Sequence, residues 1–188
     1  MNHLATSKED ILAASRDLIK ENGWAAVSIR AVASRCSVSA GTIYNYYESK
    51  ADLLSDTIES IWHEIFFHPE DEQVFHDVES CISWIYERLE YGNRQFPGFF
   101  SLHSFGFMRD EKTSGKKRMM KTWGHILNGL CEVLGNDPKV RADVFDQEFT
   151  EKKFADILFS LILVSMIRQD YDPCLLYTSP SPRDGATS

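Results

Sequence analysis

Val-Ser-Ala-Gly-Thr-Ile-Tyr-Asn-Tyr-Tyr-Glu-Ser-Lys-Ala-Asp-Leu, residues 38–53, contains two separate signals for the start of a helix. Ser39 precedes residues at helical spacing and is predicted to cap a short helix that runs to about Tyr47. Ser49-Lys50-Ala51-Asp52 has the form of a capping box with Asp in place of Glu. A second, longer helix is therefore predicted to start directly after the short one.

The two faces of the short helix differ in character. At about 100° per residue, Ile43 and Tyr47 define the inward face, which Ala40 joins and Tyr46 flanks. The outward face carries small or hydrogen-bonding residues, namely Gly41, Thr42, Tyr44 and Asn45. Gly41 has no side chain, so another backbone can approach it closely. Such a face fits the major groove of DNA, where hydroxyl and amide groups meet base edges and phosphates.

Two further helices precede this stretch. Ser28 is the expected N-cap of a short second helix, whose inward residues are Ile29, Val32, Ala33 and Cys36. Thr6-Ser7-Lys8-Glu9 has the form of a capping box for the first helix, and Asn22-Gly23 supplies its end. Four helices within residues 6–68, the middle two of them short, have the layout of a helix-turn-helix domain.

The rest of the chain also has helical spacing. After a break at His68-Pro69, apolar residues from Val74 to Leu89 predict a fifth helix that ends at Gly92-Asn93. Three more helices are predicted at 99–107, at 116–134 with Gly135 as its stop, and at 154–167. The last is apolar on nearly every side and is expected to be buried on several faces. No alternating strand pattern occurs, so the sequence predicts an all-α protein.

These elements divide the chain into three parts. A three-helix helix-turn-helix domain is predicted over residues 1–50, and the long fourth helix joins it to a second helical domain over 51–173. Residues 174–188 are rich in Ser, Pro and Gly and cannot bury a core face. They also resemble translated adapter DNA from sequencing-library preparation. We therefore expect residues 174–188 to be disordered or foreign to the fold.

The composition limits the class of protein. Of the 188 residues, 43% are hydrophobic and 12% aromatic, which excludes a chain that is disordered throughout. The longest nearly apolar run, 157–167, is too short to cross a membrane, and no secretory signal follows Met1. Four widely spaced cysteines predict buried thiols in a reducing compartment. The sequence therefore predicts a cytoplasmic protein without membrane contact.

The net charge of −8 is unevenly distributed. Residues 1–55 carry six Lys or Arg and six Asp or Glu, so the whole acidic excess belongs to the remainder. A local patch in the neutral N-terminal part can therefore contact DNA in spite of the acidic total.

Residues 28–54 resemble the DNA-binding signature of the TetR family of bacterial transcriptional regulators. The specific part is Val-Ser-x-Gly-Thr-Ile-Tyr-x-Tyr-Tyr-x-Ser-Lys-x-x-Leu at 38–53, and the motif extends over about residues 7–60. Cys36-Ser37 departs from the Ala-Gly that the family usually shows at this turn. The resemblance implies a ligand-responsive repressor, a homodimer whose third helices enter successive major grooves of a near-palindromic operator in double-stranded DNA.

The resemblance also implies roles for single residues. Phosphate contacts are expected from Thr42, Tyr44, Tyr46 and Lys50. Base contacts are expected from Ser39, Ala40, Gly41 and Asn45. Arg30, on the second helix, is expected to reach a base or phosphate at the edge of the site. Two alternatives stay open, since Arg30 can be a solvated helix residue and Tyr46, which leans inward, can be a packing residue.

For residues 51–173 the resemblance implies effector binding and dimerisation through the last two helices. Pro180 and Pro182 exclude a continuous final helix, so we expect a weakened homodimer. The residues then expected to be partly uncovered are Leu158, Leu161, Ile162 and Val164.

A surplus of aromatic and thioether side chains between the fifth and seventh helices indicates an apolar pocket for an unidentified small-molecule effector. Its expected lining is Trp84, Phe100, His103, Phe107, Met120 and Trp123, and Phe99 belongs to the same surplus. Plain core packing explains any one of these residues equally well.

Other functions have weaker support in the sequence. An activator, or a DNA binder without an effector, would carry the same motif, and so would a small-molecule-binding protein or enzyme with a vestigial helix-turn-helix. His63 and His68 lie about 140° apart on a helix, which does not suit a shared zinc ion. No Gly-rich phosphate loop and no G-x-S-x-G motif occurs. The sequence therefore predicts a non-enzyme without metal or cofactor.

Overall fold

The computed structural model describes residues 6–67, 77–100, 114–141 and 143–172, with side chains from residue 123 onward in the third range. These ranges contain seven α-helices, one 3-10 helix and no strand, which confirms the all-α prediction. The helices are α1 Lys8–Asn22, α2 Ile29–Arg35, α3 Ala40–Tyr44, α4 Lys50–Phe66, α5 Val78–Gln95, α6 Ser114–Asn136 and α7 Glu151–Arg168. The 3-10 helix Trp24–Ala26 joins α1 to α2.

Short polar side chains set the start of the helices in the N-terminal region. The N-caps of α2, α3 and α4 are, as predicted, the serines Ser28, Ser39 and Ser49. For α1 the capping box lies one residue later than predicted, at Ser7 and Asp10 instead of Thr6 and Glu9. The Asp10 carboxylate accepts from the Ser7 N–H at 2.8 Å, while Thr6 is buried. The shorter acidic side chain at the third helical position therefore closes the box.

The turn between α2 and α3 has a left-handed residue. Ser37 adopts a φ of 56°. The N–H groups of Ser37 and Val38 donate to the Ser34 oxygen at 3.1 Å and the Ala33 oxygen at 2.9 Å. These are the two hydrogen bonds of a Schellman motif, which usually has glycine in the left-handed position because a Cβ is strained there. The turn therefore keeps its usual hydrogen bonds although Cys36-Ser37 replaces the Ala-Gly of the family, and Ser37 carries the backbone strain.

Ser37→Gly is expected to stabilise the protein by up to about 1 kcal/mol, because glycine removes the left-handed strain and loses part of that gain to its greater freedom when unfolded. Thermal unfolding followed by circular dichroism measures the change. Ser34→Gly, inside α2, is the matched control and should destabilise by about 0.5 kcal/mol through helix propensity. A lower melting temperature for Ser37→Gly would contradict the argument.

α3 is shorter than the sequence predicted. It ends at Tyr44 instead of near Tyr47, because the N–H groups of the next two residues donate to carbonyls three positions earlier, at 3.2 and 3.0 Å. This tighter winding ends the α-helix within one further turn. Ile43 and Tyr47 are nevertheless both buried, as their spacing predicted.

Two glycines that the sequence offered as helix ends lie inside helices. α5 continues past Gly92, and α6 continues past Gly135. A Cβ at Gly92 would stand 2.6 Å from Ile65 Cδ1 and 3.1 Å from Phe100 Cζ. The absent side chain of Gly92 therefore permits the close packing of α5 on α4, and the prediction that it ends the helix was wrong.

Several boundaries in the second half differ from their predicted positions. α5 begins at Val78 after its N-cap Asp77, and the predicted marker Val74 lies outside the described residues. Of the predicted helix at 99–107, residues 99 and 100 lie in a turn and the others are outside the described ranges. α6 and α7 begin two and three residues earlier than predicted. The predicted tail at 174–188 and residue 173 likewise lie outside the described residues.

α7, which was expected to be buried on several faces, has one face that is open to solvent. Four apolar side chains, each 41–51% exposed, form one stripe along it: Ile157, Leu161, Val164 and Ile167. Leu158 and Ile162 were expected to be partly uncovered but are 7% and 2% exposed, so the prediction was wrong for these two. Their side of α7 packs on α6, and Ser165 Oγ lies 2.9 Å from the Tyr86 hydroxyl of α5.

α4 connects the two halves of the molecule. It packs on α1, and it also contacts α5 and α6. Among the helices in the described ranges, none has the length and apolar character needed to cross a membrane.

Candidate nucleic-acid interface

α3 presents to solvent the face that its spacing predicted. The exposed residues on α3 and at its ends are Ser39, Gly41, Tyr44 and Asn45, with Ala40, Thr42 and Tyr46 half-buried. Tyr44 is 55% exposed. A Cβ at Gly41 would meet only Ser39 Oγ, at 3.6 Å, so this position faces open space. The structure therefore leaves the predicted base-facing residues and the predicted phosphate contacts Thr42 and Tyr44 at least partly open to solvent on α3 and at its ends.

The hydroxyl groups on this surface are held in place. Ser39 Oγ accepts a hydrogen bond from the Thr42 N–H at 3.2 Å and lies 3.0 Å from Thr42 Oγ1. The Tyr46 hydroxyl points the other way and donates to the Thr6 oxygen at 2.7 Å. Tyr46 therefore ties α3 to the residue before α1, whereas Tyr44 extends into solvent.

Carboxylates pair with most of the basic side chains of residues 1–55. The ion pairs are Lys8 with Asp56 at 2.6 Å, Arg16 with Glu9 at 2.9 Å, Lys20 with Glu64 at 2.7 Å, and Arg35 with Glu21. The hydrogen bond from Arg35 lowers the pKa of the Glu21 carboxyl. Four of the six basic side chains in residues 1–55 are thus already paired.

The other two cations, Arg30 and Lys50, make no ion pair with any residue of the described ranges. Both are exposed. Arg30 lies in the first turn of α2, and Lys50 is the first residue of α4, where the outward N–H groups of a helix start also favour an anion. The helices that precede and follow the polar α3 thus each carry one exposed cation without an ion pair, and such cations suit contact with phosphate backbones.

Comparison with known proteins agrees with this geometry. Residues 11–57, which include α2, α3 and the first part of α4, match the family of bacterial regulatory proteins described as the tetR family. The N-terminal domain belongs to the tetR family. The HTH-type transcriptional regulator UidR of Escherichia coli K12 is 38% identical over 48 residues, which make up 26% of this chain and 24% of UidR. The matched segment thus spans about a quarter of that curated relative.

Two solved structures resemble the chain over most of its length. A transcriptional regulator from Rhodococcus sp. Rha1 is 19% identical, covers 90% of this chain and 87% of its own, and has a TM-score of 0.64. FadR from Bacillus subtilis, solved in complex with stearoyl-CoA, is 16% identical, covers 86% of both chains, and has a TM-score of 0.61. At these identities the likeness shows the fold alone, and it confirms the predicted fold class, an all-α chain with a helix-turn-helix domain followed by a helical domain.

The helical region that follows the helix-turn-helix domain contains a cavity of about 380 Å³. It lies between the C-terminal end of α4, α5 and α6, and its lining is Phe66, Phe67, Cys81, Trp84, Ile85, His125, Ile126, Gly129, Leu130, Glu132, Val133 and Asn136. Burial raises the pKa of Cys81 to about 11, so this thiol stays protonated at neutral pH and is unreactive. Among the described residues, no cluster of His, Cys, Asp and Glu could hold a metal ion.

The cavity includes one of the six residues expected to line an effector pocket, Trp84. Phe100 is 1% exposed and packs on Trp62, and the Trp123 ring packs on Phe159 of α7 at 5.6 Å. The other three fall outside what the structure describes, since His103 and Phe107 lie in residues 101–113 and the Met120 side chain precedes residue 123.

The lining residues that the sequence did not reveal lie mainly on α6. The one local sign of the cavity in the sequence is Gly129. A glycine inside an amphipathic helix that does not end the helix usually has a packing or functional reason. A Cβ at Gly129 would meet nothing within 4 Å, so the missing side chain leaves the cavity open. His125, Glu132 and Asn136 share this face at seven and eleven residues' spacing.

A chain of ring contacts connects the cavity with the helix-turn-helix domain. Trp84 and Phe66, both in the cavity wall, have ring centroids 5.9 Å apart, and Phe66 lies 5.6 Å from Trp62. Trp62 lies 5.3 Å from Phe99, which stacks on Trp24 at 5.8 Å. Trp24 belongs to the 3-10 helix that leads into α2. The chain of rings therefore joins the cavity wall to the segment that positions α2.

A second link runs along α4. Glu64, close to the cavity residues Phe66 and Phe67, pairs with Arg16 at 3.1 Å and with Lys20 at 2.7 Å, both on α1. Arg88 of α5 donates to the backbone oxygens of Glu64 and Ile65, which are near the C-terminal end of α4. A displacement of this end of α4 would therefore act directly on α1 through these ion pairs.

Proposed function

We propose that the chain is a ligand-responsive transcriptional repressor that binds a palindromic operator in double-stranded DNA as a homodimer. The observation that carries the proposal is the pair of exposed cations without an ion pair, Arg30 on α2 and Lys50 on α4, on the helices before and after a small, polar and outward-facing α3. The tetR-family match over residues 11–57 supports DNA contact by this surface.

The surface residues divide by what each can reach. In the proposed complex Thr42, Tyr44 and Lys50 hold phosphates, and Arg30 reaches a base or phosphate at the edge of the site. The groups that face base edges are Ser39, Ala40, Gly41 and Asn45. Because the Tyr46 hydroxyl already donates to Thr6, we assign Tyr46 to positioning α3 instead of contacting phosphate.

The stripe on α7 supports the homodimer. Ile157, Leu161, Val164 and Ile167 expose apolar side chains along one face of this helix, and a shallow groove of about 290 Å³ runs beside the first three. Two copies that pair these faces about a twofold axis would cover both stripes at once. The same axis would place two copies of α3 on the halves of a palindromic site.

The cavity supports a response to a small molecule. Its walls include Phe66 and Phe67 at the end of α4, and Glu64 nearby is paired with α1. In the proposed switch a ligand prefers the arrangement of α4 and α5 in which the two α3 helices of the dimer are misplaced for the operator. Its effect is bounded by its differential affinity for the two arrangements.

Fluorescence anisotropy with labelled duplexes that tile the DNA upstream of the chain's own gene tests the proposal. One duplex should bind at least about a hundredfold more tightly than its scrambled counterpart. Equal binding to all duplexes would support a DNA binder without an operator, and no binding would support a vestigial helix-turn-helix. A transcription assay from the bound promoter separates a repressor, which lowers transcript, from an activator, which raises it.

Tyr44→Phe and Asn45→Ala should have different effects on DNA binding. Tyr44→Phe removes one hydroxyl from an exposed ring and is expected to weaken binding to operator and scrambled duplexes alike, by about fivefold. Asn45→Ala is expected to reduce the preference for operator over scrambled DNA, because it removes a base contact. The same anisotropy titration measures both. Unchanged operator affinity for Tyr44→Phe would remove Tyr44 from the phosphate contacts.

A further inference from the structure

The walls of the cavity between α4, α5 and α6 differ in chemistry. On one side lie the aromatic rings of Phe66, Phe67 and Trp84, and Phe67 is 47% exposed. Phe66 and Trp84 meet edge to face, with centroids 5.9 Å apart. A ring contributes either an apolar surface or, through its face, a weakly negative one that attracts cations.

The polar residues of the cavity lie on the opposite wall. His125, Glu132 and Asn136 are all exposed and share one face of α6, so they stand at the mouth while Ile126, Leu130 and Val133 lie deeper. The lining residues that the structure describes include one carboxylate, Glu132, and neither lysine nor arginine.

The neighbouring cation on α5 is already occupied. Arg88 donates to the backbone oxygens of Glu64 and Ile65, and its guanidinium lies 4.6 Å from the centre of the Tyr91 ring. The Arg88 guanidinium is therefore already hydrogen-bonded to the C-terminal end of α4. A carboxylate opposite aromatic rings, without a cation in the described lining, favours a positively charged group and disfavours a carboxylate or phosphate.

We propose that this cavity binds an apolar amine, a molecule whose aromatic or aliphatic body packs between Trp84 and Leu130 and whose ammonium group lies at the mouth beside Glu132. A volume of about 380 Å³ is within the usual range for small-molecule sites. The proposal rests on the proposed function in one respect, that this cavity is the effector site, and it names the chemical class that the site accepts.

A matched series of three probes tests the class: 4-phenylbutylamine, 4-phenylbutanol and 4-phenylbutyrate, which share one apolar body and differ in end group. Isothermal titration calorimetry on the full chain measures each affinity. The amine is expected to bind about tenfold more tightly than the alcohol, and the butyrate more weakly than both. Glu132→Gln should remove the amine's advantage and leave the alcohol unchanged, while Glu87→Gln, an exposed carboxylate of α5 outside the lining, should change neither.

The substitution Gly129→Leu tests whether the probes bind inside the cavity. The added side chain would enter open space in the cavity and should abolish binding of all three, whereas Gly135→Leu, equally open but outside the lining, should not. Equal affinities, preference for the butyrate, or no binding of the amine at millimolar concentration would each overturn the proposed class. So would an amine preference that survives Glu132→Gln.

The effect of each probe on operator affinity tests the proposed regulation separately from the ligand class. An amine that binds through Glu132 but leaves operator affinity unchanged would confirm the ligand class and contradict the proposed regulation. Operator release by the alcohol or the butyrate, with no preference for the amine, would support the proposed regulation and contradict the ligand class.

Discussion

Gly41→Ala is expected to weaken operator binding at least about tenfold while it makes the free protein more stable. The added methyl group would project from the outward face of α3 into the space that the DNA must enter, and the loss of one close contact of this kind costs about 1–3 kcal/mol. Within the protein it would meet only Ser39 Oγ, at an ordinary contact distance. Alanine also favours the helix over glycine by about 1 kcal/mol.

The opposite signs of the two effects distinguish a DNA contact from a folding defect. Anisotropy titration gives the affinity, and thermal unfolding gives the stability. Gly135→Ala, in the last turn of α6 with nothing within 4 Å of its Cβ, is the matched control. It should raise stability without changing DNA affinity. If Gly41→Ala left operator affinity intact, α3 would not approach DNA through this face.

Leu161→Glu is expected to raise the dissociation constant of the dimer at least about a hundredfold, with loss of operator binding at nanomolar protein. Leu161 lies near the middle of the exposed stripe on α7 and is 42% exposed, so the isolated subunit should tolerate a polar side chain there. In the dimer the twofold axis would place two unpaired carboxylates in an apolar interface, at a cost of about 3 kcal/mol or more.

Sedimentation velocity across a range of concentrations measures this change. Val144→Glu is the control, because Val144 is also an exposed apolar residue, at 46%, but precedes α7 and lies off the stripe. It should leave the sedimentation profile as in the unmodified chain. If the Leu161→Glu protein sedimented as a dimer, the interface would have to lie on another surface.

Helix starts could be predicted from the sequence because their signal is local. Ser28, Ser39 and Ser49 each accept from an N–H three residues later, and both partners are visible in the sequence. Helix ends were less predictable. Gly92 has the composition of a stop, and only its position 2.6 Å from Ile65 Cδ1 shows that it serves packing between helices.

The two parts of the candidate site differ in the same way. The outward face of α3 follows from a single helical period, and the structure places those residues as expected. The cavity depends on how three helices diverge, and a surplus of aromatic residues does not distinguish a cavity wall from a filled core. Trp84 and Phe100 belong to the same surplus, yet Trp84 lines the cavity and Phe100 is packed in the core.

The internal neutralisation of the helix-turn-helix domain determines how its affinity for DNA should vary with salt. With Arg30 and Lys50 as the cations of residues 6–55 that have no ion pair in the described structure, a dimer would displace about four condensed counterions, and the logarithm of its affinity should fall with the logarithm of salt at a slope of about −4. From 50 to 200 mM salt this amounts to a loss near two orders of magnitude, whereas proteins that neutralise six to ten phosphates with Lys or Arg lose about 10³–10⁵. In the proposed function, such a protein would bind weakly to bulk chromosomal DNA, and its choice of site would depend mainly on the base contacts of α3.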